Sequence, residues 1–135
     1  MKNQRKRDTE RERNVENSLR QIGRIRERSR ADGAALLVVL IPDENQINPQ
    51  LQQALWGDAD RSAYDLDMPQ ALLAEKLRES GVHVLDPLAR FRRDTGCLYM
   101  NDTHLSPAGL DLLAAAIQDE MRGAWPPAHG GRDAL

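Results

Sequence analysis

The chain has 135 residues, one domain's worth. Charged residues make up 30% and aromatics 4%, and no apolar run approaches the roughly 20 residues that a membrane-spanning helix needs. The net charge of −2 conceals an asymmetry: residues 1–30 hold 11 Lys/Arg against 5 Asp/Glu, while the remainder holds 8 against 16. A basic arm on an acidic body admits two readings, a solvated amphipathic helix with Arg outward or a contact surface for nucleic acid or a membrane.

The expected organisation is a basic N-terminal arm over 1–12, a partial α/β domain over 13–122 and a disordered, Pro- and Gly-rich tail over 123–135. Residues 8–30 read as a helix whose apolar stripe is Val15, Leu19, Ile22 and Ile25. Ala31-Asp32-Gly33 closes it, with Gly33 suited to a left-handed stop. Ala34 to Ile41 is apolar on both faces, as in a parallel strand covered by helices on both sides, and Pro42 ends it. Asp43-Glu44-Asn45 reads as a polar turn at the carboxyl edge, the alternatives being the rim of a substrate cleft or a hold for Mg²⁺.

Gln50 to Trp56 predicts a short helix and Gly57 to Ser62 a loop. Asp67 is placed as an N-cap before Met68-Pro69, opening a helix to about Ser80 that buries Leu72, Leu73 and Leu77. Gly81 stops it, Val82 to Leu85 is a second short strand, and Asp86-Pro87 opens a helix with Leu88 and Phe91 inward. Leu98-Tyr99-Met100 is a brief extended piece and Asn101 to Leu105 a loop. Ser106-Pro107 then caps a last helix, Ser as N-cap and Pro at N1, with Leu110, Leu113, Ala114, Ile117 and Met121 facing the core. Two or three strands are few for a parallel sheet, so the chain reads as the C-terminal part of a doubly wound α/β domain, or as one that needs a partner to complete its sheet.

One loop can carry chemistry. Acyl transfer by a serine needs a base that takes the hydroxyl proton and returns it to the leaving group, and imidazole suits this near neutral pH. The imidazole in turn needs a carboxylate on its other nitrogen to hold its tautomer. Asp102 and His104 stand two apart. In extended chain their side chains lie on one side, about 6–7 Å apart at Cα. An Asp-x-His before a helix also occurs as ordinary turn chemistry. His83 reads as a packed or edge histidine, His129 as inert, and Cys97 as a small buried hydrophobe. A lone cysteine allows no internal disulfide, and no two histidines have metal-ligand spacing, so neither metal nor cofactor is expected.

Asn101-Asp102-Thr103-His104-Leu105-Ser106-Pro107-Ala108-Gly109 resembles the last block of the SGNH (GDSL-type) hydrolases. Leu36 to Pro42 resembles the buried strand ending in Pro of one branch of that family, and Gly81 to Leu88 its next strand and helix opening. The likeness spans about residues 13–120. It implies a flavodoxin-like three-layer α/β/α fold. It also implies hydrolysis or transfer of an acyl group on a small-molecule or carbohydrate ester, with His104 as general base then acid and Asp102 as its orienter.

Two departures accompany the resemblance. The commoner family spacing places Asp three residues before His, where this chain has Asn101. The two-residue form resembles the branch that includes polysaccharide O-acetyltransferase-like proteins. No Gly-Asp-Ser supplies a nucleophile and no Gly-x-Asn-Asp an oxyanion hole. Ser18 and Ser29 lie on a charged helix, Ser62 in a loop, Ser80 at a helix end, and Ser106 serves as a cap. The missing parts are expected upstream of Met1, along with any export signal or membrane anchor, and this chain alone is expected to be inactive. The alternative is a non-catalytic α/β module that contacts a protein or nucleic acid through its basic first helix.

Overall fold

A computed structural model describes residues 2–57, 65–123 and 125, with side chains from residue 12 onward. The expected loop at 58–62 and all of the expected tail but Gly123 and Trp125 lie outside the described residues. The chain divides into two compact units, Met1–Val38 with Asp67–Val84, and Val39–Leu66 with Leu85–Leu135.

Two stretches of the chain share one local design: a helix, a left-handed glycine, then a strand. Helix α1 spans Lys2–Ala31 and strand β1 Leu37–Val39; helix α4 spans Met68–Glu79 and strand β2 His83–Leu85. Both helices end in the same pair of backbone bonds. Ala34 N–H donates to Ser29 and Gly33 N–H to Arg30, at 2.7 and 3.0 Å. Val82 N–H donates to Leu77 and Gly81 N–H to Arg78, at 3.0 and 2.8 Å. This wrap uses carbonyls that would otherwise lack partners and needs a residue at positive φ; Gly33 and Gly81 supply it at 71° and 75°. β1 and β2 pair directly as a small parallel sheet.

α1 packs on α4, but not along the whole expected stripe. Val15, Leu19 and Ile22 are half-buried, whereas Ile25 is exposed and Arg26 takes the covered position. The reason is a hydrogen bond: Arg26 Nη1 donates to the Ser80 carbonyl at the end of α4. That carbonyl is one of the last acceptors of a helix, which attract cations. In α4 Ala74 and Leu77 are the buried residues, with Leu72 and Leu73 half-covered. Asp67 precedes α4 but makes no side-chain capping bond. β1 is only three residues long and half-buried, and Ala34, Ala35 and Ile41 are exposed. The expectation of a strand buried on both faces therefore fails over these residues, because a two-stranded sheet is too narrow to be covered fully.

In the second unit, Asp43-Glu44-Asn45 is not a plain turn. It opens helix α2, Glu44–Ile47, through a capping box. Asp43 accepts from the Asn45 N–H at 2.9 Å, and Gln46 Oε1 accepts from the Asp43 N–H at 2.8 Å. This reciprocal arrangement satisfies donors that a helix start leaves free. Asn48 then caps helix α3, Pro49–Trp56, accepting from Gln50 and Leu51 N–H, both at 3.1 Å. Gln46 is nearly fully buried. Its Nε2 donates to Leu66 O, and its own carbonyl receives Arg92 Nε and Nη2 at 3.1 and 2.9 Å. Arg92 lies on helix α5, Leu88–Arg93, whose start is bonded through Asp86 Oδ1 to Leu88 N–H at 3.1 Å.

Helix α6, Pro107–Gly123, completes the unit. Phe91, Leu98 and Leu113 form the buried core, with Val39, Ile47, Tyr99, Leu105, Leu112 and Ile117 packed around it. The helix is rotated from the expected orientation. Gly109, Leu113 and Ala116 are buried, whereas Leu110 and Met121 are about half exposed and Ala114 is exposed. Gly109 sets this rotation: a Cβ there would stand 2.2 Å from the Leu98 carbonyl oxygen. Cys97, expected to be buried, is exposed.

Candidate active site

Leu98, Tyr99 and Met100 do not join the β1–β2 sheet. They fold back on the loop that follows. Tyr99 and Leu105 form an isolated antiparallel bridge. Met100 N–H donates to His104 O at 2.7 Å, Ser106 N–H to Leu98 O at 2.9 Å, and Thr103 N–H to Met100 O at 3.0 Å. The result is a tight hairpin with Asn101, Asp102 and Thr103 at its tip.

Ser106 ties the hairpin to α6. Its Oγ donates to the Cys97 carbonyl at 2.5 Å and accepts the Gly109 N–H at 3.1 Å. One hydroxyl thus caps the helix and holds the first arm of the hairpin. The aromatic ring of the first arm is fixed by a second bond, from the Tyr99 hydroxyl to the Pro42 carbonyl. Burial, and after it the carboxylates of Asp43 and Glu44, push the Tyr99 phenol up to about 12.

Asp102 and His104 meet at the tip. Asp102 Oδ2 lies 3.1 Å from His104 Nδ1, and Asp102 Oδ1 accepts the His104 backbone N–H at 3.3 Å. The two oxygens of one carboxylate therefore engage two groups of one residue. The side chains are 65% and 77% exposed, so no wall of packed neighbours orients them. The backbone N–H of His104 first, and its side chain after it, hold the Asp102 carboxyl below the usual carboxylate range. His104 Nε2 has no hydrogen-bond partner among the described residues.

The pair is not brought together by extended chain, as the spacing predicts. Thr103 sits at φ 67°, the only non-glycine residue at positive φ among those described. For a β-branched residue this is an outlier that costs about 1–2 kcal/mol. Residues held in such conformations gather at functional sites. Sequence reasoning missed this residue, and no residue-type signal pointed to it, since Thr is among the least expected occupants of the left-handed region.

A cleft of about 450 Å³ in this unit is lined by Glu44, Asn48, Phe91, Asp94, Cys97 and Tyr99 among others. Neither Asp102 nor His104 lines it. Of the serines, Ser18 bonds to Asn14 O and Ser80 to Leu77 O, and Ser106, next to the hairpin, is spent on Cys97 and Gly109. Among the described residues no group of three or more His, Cys, Asp or Glu is placed to hold a metal ion. No described helix is long and apolar enough to cross a membrane.

A family model described as an SGNH hydrolase-like domain, acetyltransferase AlgX, matches residues 1–134. The chain belongs to this SGNH hydrolase-like family. No curated protein and no solved structure matches it. Membership in the SGNH hydrolase-like family carries a general activity class, hydrolase- or acyltransferase-like chemistry on acyl esters. At the level of architecture, its mixture of helices with a small parallel sheet is that of an α/β protein.

Proposed function

We propose that this chain supplies the Asp–His half of a Ser–His–Asp acyl-transfer site, with His104 as general base and then general acid and Asp102 as its orienter. The observation that carries the reading is the 3.1 Å approach of His104 Nδ1 to Asp102, which leaves Nε2 toward solvent. A neutral imidazole whose Nδ1–H donates to a carboxylate presents an unprotonated Nε2, the atom that must accept a hydroxyl proton. The carboxylate then stabilises the imidazolium that forms, and the proton passes to the leaving oxygen.

The nucleophilic serine and the oxyanion donors come, in this reading, from sequence outside these 135 residues. Each oxyanion donor contributes about 3 kcal/mol of barrier lowering, so the Asp–His half alone has no route to efficient turnover. The same missing segment would extend the β1–β2 sheet toward a flavodoxin-like three-layer α/β/α arrangement, for which the parallel pairing and the partly covered strands are the support. The substrate class is an acyl ester, with an acetyl group favoured by the acetyltransferase description of the family.

The test is turnover of a small acetyl ester by this chain and by versions extended at either end. The expected result is no activity from the chain alone, and activity in an extended form that disappears in His104→Ala. Activity of the short chain that is lost in His104→Ala would overturn the outside-nucleophile reading.

A further inference from the structure

Asp102 and His104 are both exposed, yet two groups of His104 engage two oxygens of Asp102. Packing does not hold them, so the backbone between them must. That backbone is the tip of a hairpin whose arms are joined by Met100 N–H to His104 O, with Thr103 N–H bonded back to Met100 O. Three-residue hairpin loops of this kind end in a residue in the left-handed conformation, where glycine is the usual occupant. Here that position falls between the two site residues and is filled by Thr103 at φ 67°. A left-handed residue at this point reverses the chain, so that the next N–H and the next side chain both turn toward the carboxylate just passed. An extended residue would leave the two side chains parallel and the His104 N–H directed elsewhere.

We infer that Thr103 is the positioning residue of the site, and that its left-handed backbone, rather than its hydroxyl, closes the ring between Asp102 and His104. This rests on the reading of the pair as a general base with its orienter, but it is tested without substrate. Ser106 and Gly109 complete the device from below, since they fix Leu98 and Cys97 against α6 and so hold the first arm in place.

The experiment is ¹⁵N NMR of the His104 ring and backbone in the intact chain, read as the Nδ1–H tautomer and its coupling to Asp102, with titration of the Asp102 carboxyl as a second readout. The α6 amide resonances report folding. Thr103→Gly and Thr103→Asn, both tolerant of positive φ, should keep the Nδ1–H signature and the low Asp102 midpoint. Thr103→Val, which keeps the shape and lacks the hydroxyl, should keep them too. Thr103→Pro, with φ locked near −65°, should lose both while α6 stays folded. Retention of the signature in a folded Thr103→Pro variant, or its loss in Thr103→Gly and Thr103→Asn, overturns the inference. Its loss in Thr103→Val alone would move the role to the hydroxyl and overturn it equally. If the ring responds as expected but the extended enzyme turns over normally without His104, the positioning stands and the catalytic reading falls.

Discussion

Gly109→Ala gives the sharpest test of how the hairpin and α6 fit together. The added methyl would lie 2.2 Å from the Leu98 carbonyl oxygen and 3.1 Å from the Leu105 side chain. The first of these is backbone, so it cannot swing aside. The arm carrying Leu98 is tied to Ser106 by its own N–H···O bond at 2.9 Å, and Cys97 is tied to the Ser106 hydroxyl. Opening the contact to an ordinary distance moves the helix off the hairpin by about 1 Å and stretches both bonds. Overpacking of this kind costs about 1–3 kcal/mol, and weakening one hydrogen bond adds about 1 kcal/mol. Alanine returns about 1 kcal/mol through its better helix propensity. The balance is a loss of about 1–3 kcal/mol, or a melting temperature lowered by roughly 4 °C per kcal/mol for a chain of this size. Urea and thermal unfolding of the two proteins measure it. A Gly109→Ala variant as stable as the parent, or more so, would show that the close approach is not a constraint and that the rotation of α6 has another origin.

Three further outcomes follow from the same geometry. Ser106→Ala removes a cap and leaves the Gly109 N–H and Cys97 carbonyl without their partner, so it should cost about 1–2 kcal/mol in chemical unfolding. The Tyr99 phenol, raised in the folded state to about 12, stays neutral where the unfolded chain's phenol ionises near 10. Its contribution is therefore intact below pH 10 and lost as pH rises toward 12, and Tyr99→Phe should flatten that part of the stability–pH curve relative to the parent. In an extended, active form, Asp102→Asn should lower kcat by roughly ten-thousandfold with KM little changed, as expected when the imidazole loses its tautomer partner; a loss below tenfold would separate Asp102 from catalysis.

Much of the fold was legible because it is punctuated by residues with one physical use. Gly33 and Gly81 announced left-handed helix ends, and Ser106-Pro107 announced the start of α6. The pair at 102 and 104 was legible from residue type and spacing, although the geometry that joins them was not, since Thr103 gives no sign of a positive φ. The face of α6 was legible only in part. Leu113 and Ile117 pack on the core as the spacing predicts, whereas Leu110, Ala114 and Met121 are exposed and Gly109 and Ala116 are buried. Hydrophobicity ranks Leu110 and Met121 above Gly109 and Ala116, but the close approach at Gly109 favours the small residues. The role of Arg26 carries no local sign in the sequence, because its acceptor at Ser80 lies 54 residues away. The α2 helix could have been found: Asp43-x-x-Gln46 is a capping box in plain sight.

Gln46 joins three stretches of chain through one side chain and its carbonyl: the start of α2, the segment at Leu66 and the guanidinium of α5. Its amide gives through nitrogen and receives through a separate oxygen; Asn carries the same two groups but is one methylene shorter and cannot span the same reach. Conversion to glutamate would exchange the donor for a buried negative charge facing a carbonyl oxygen. Spontaneous loss of ammonia at this one position would therefore be a chemical ageing event with consequences for the whole unit, while the same event at the exposed Gln50 would pass unnoticed.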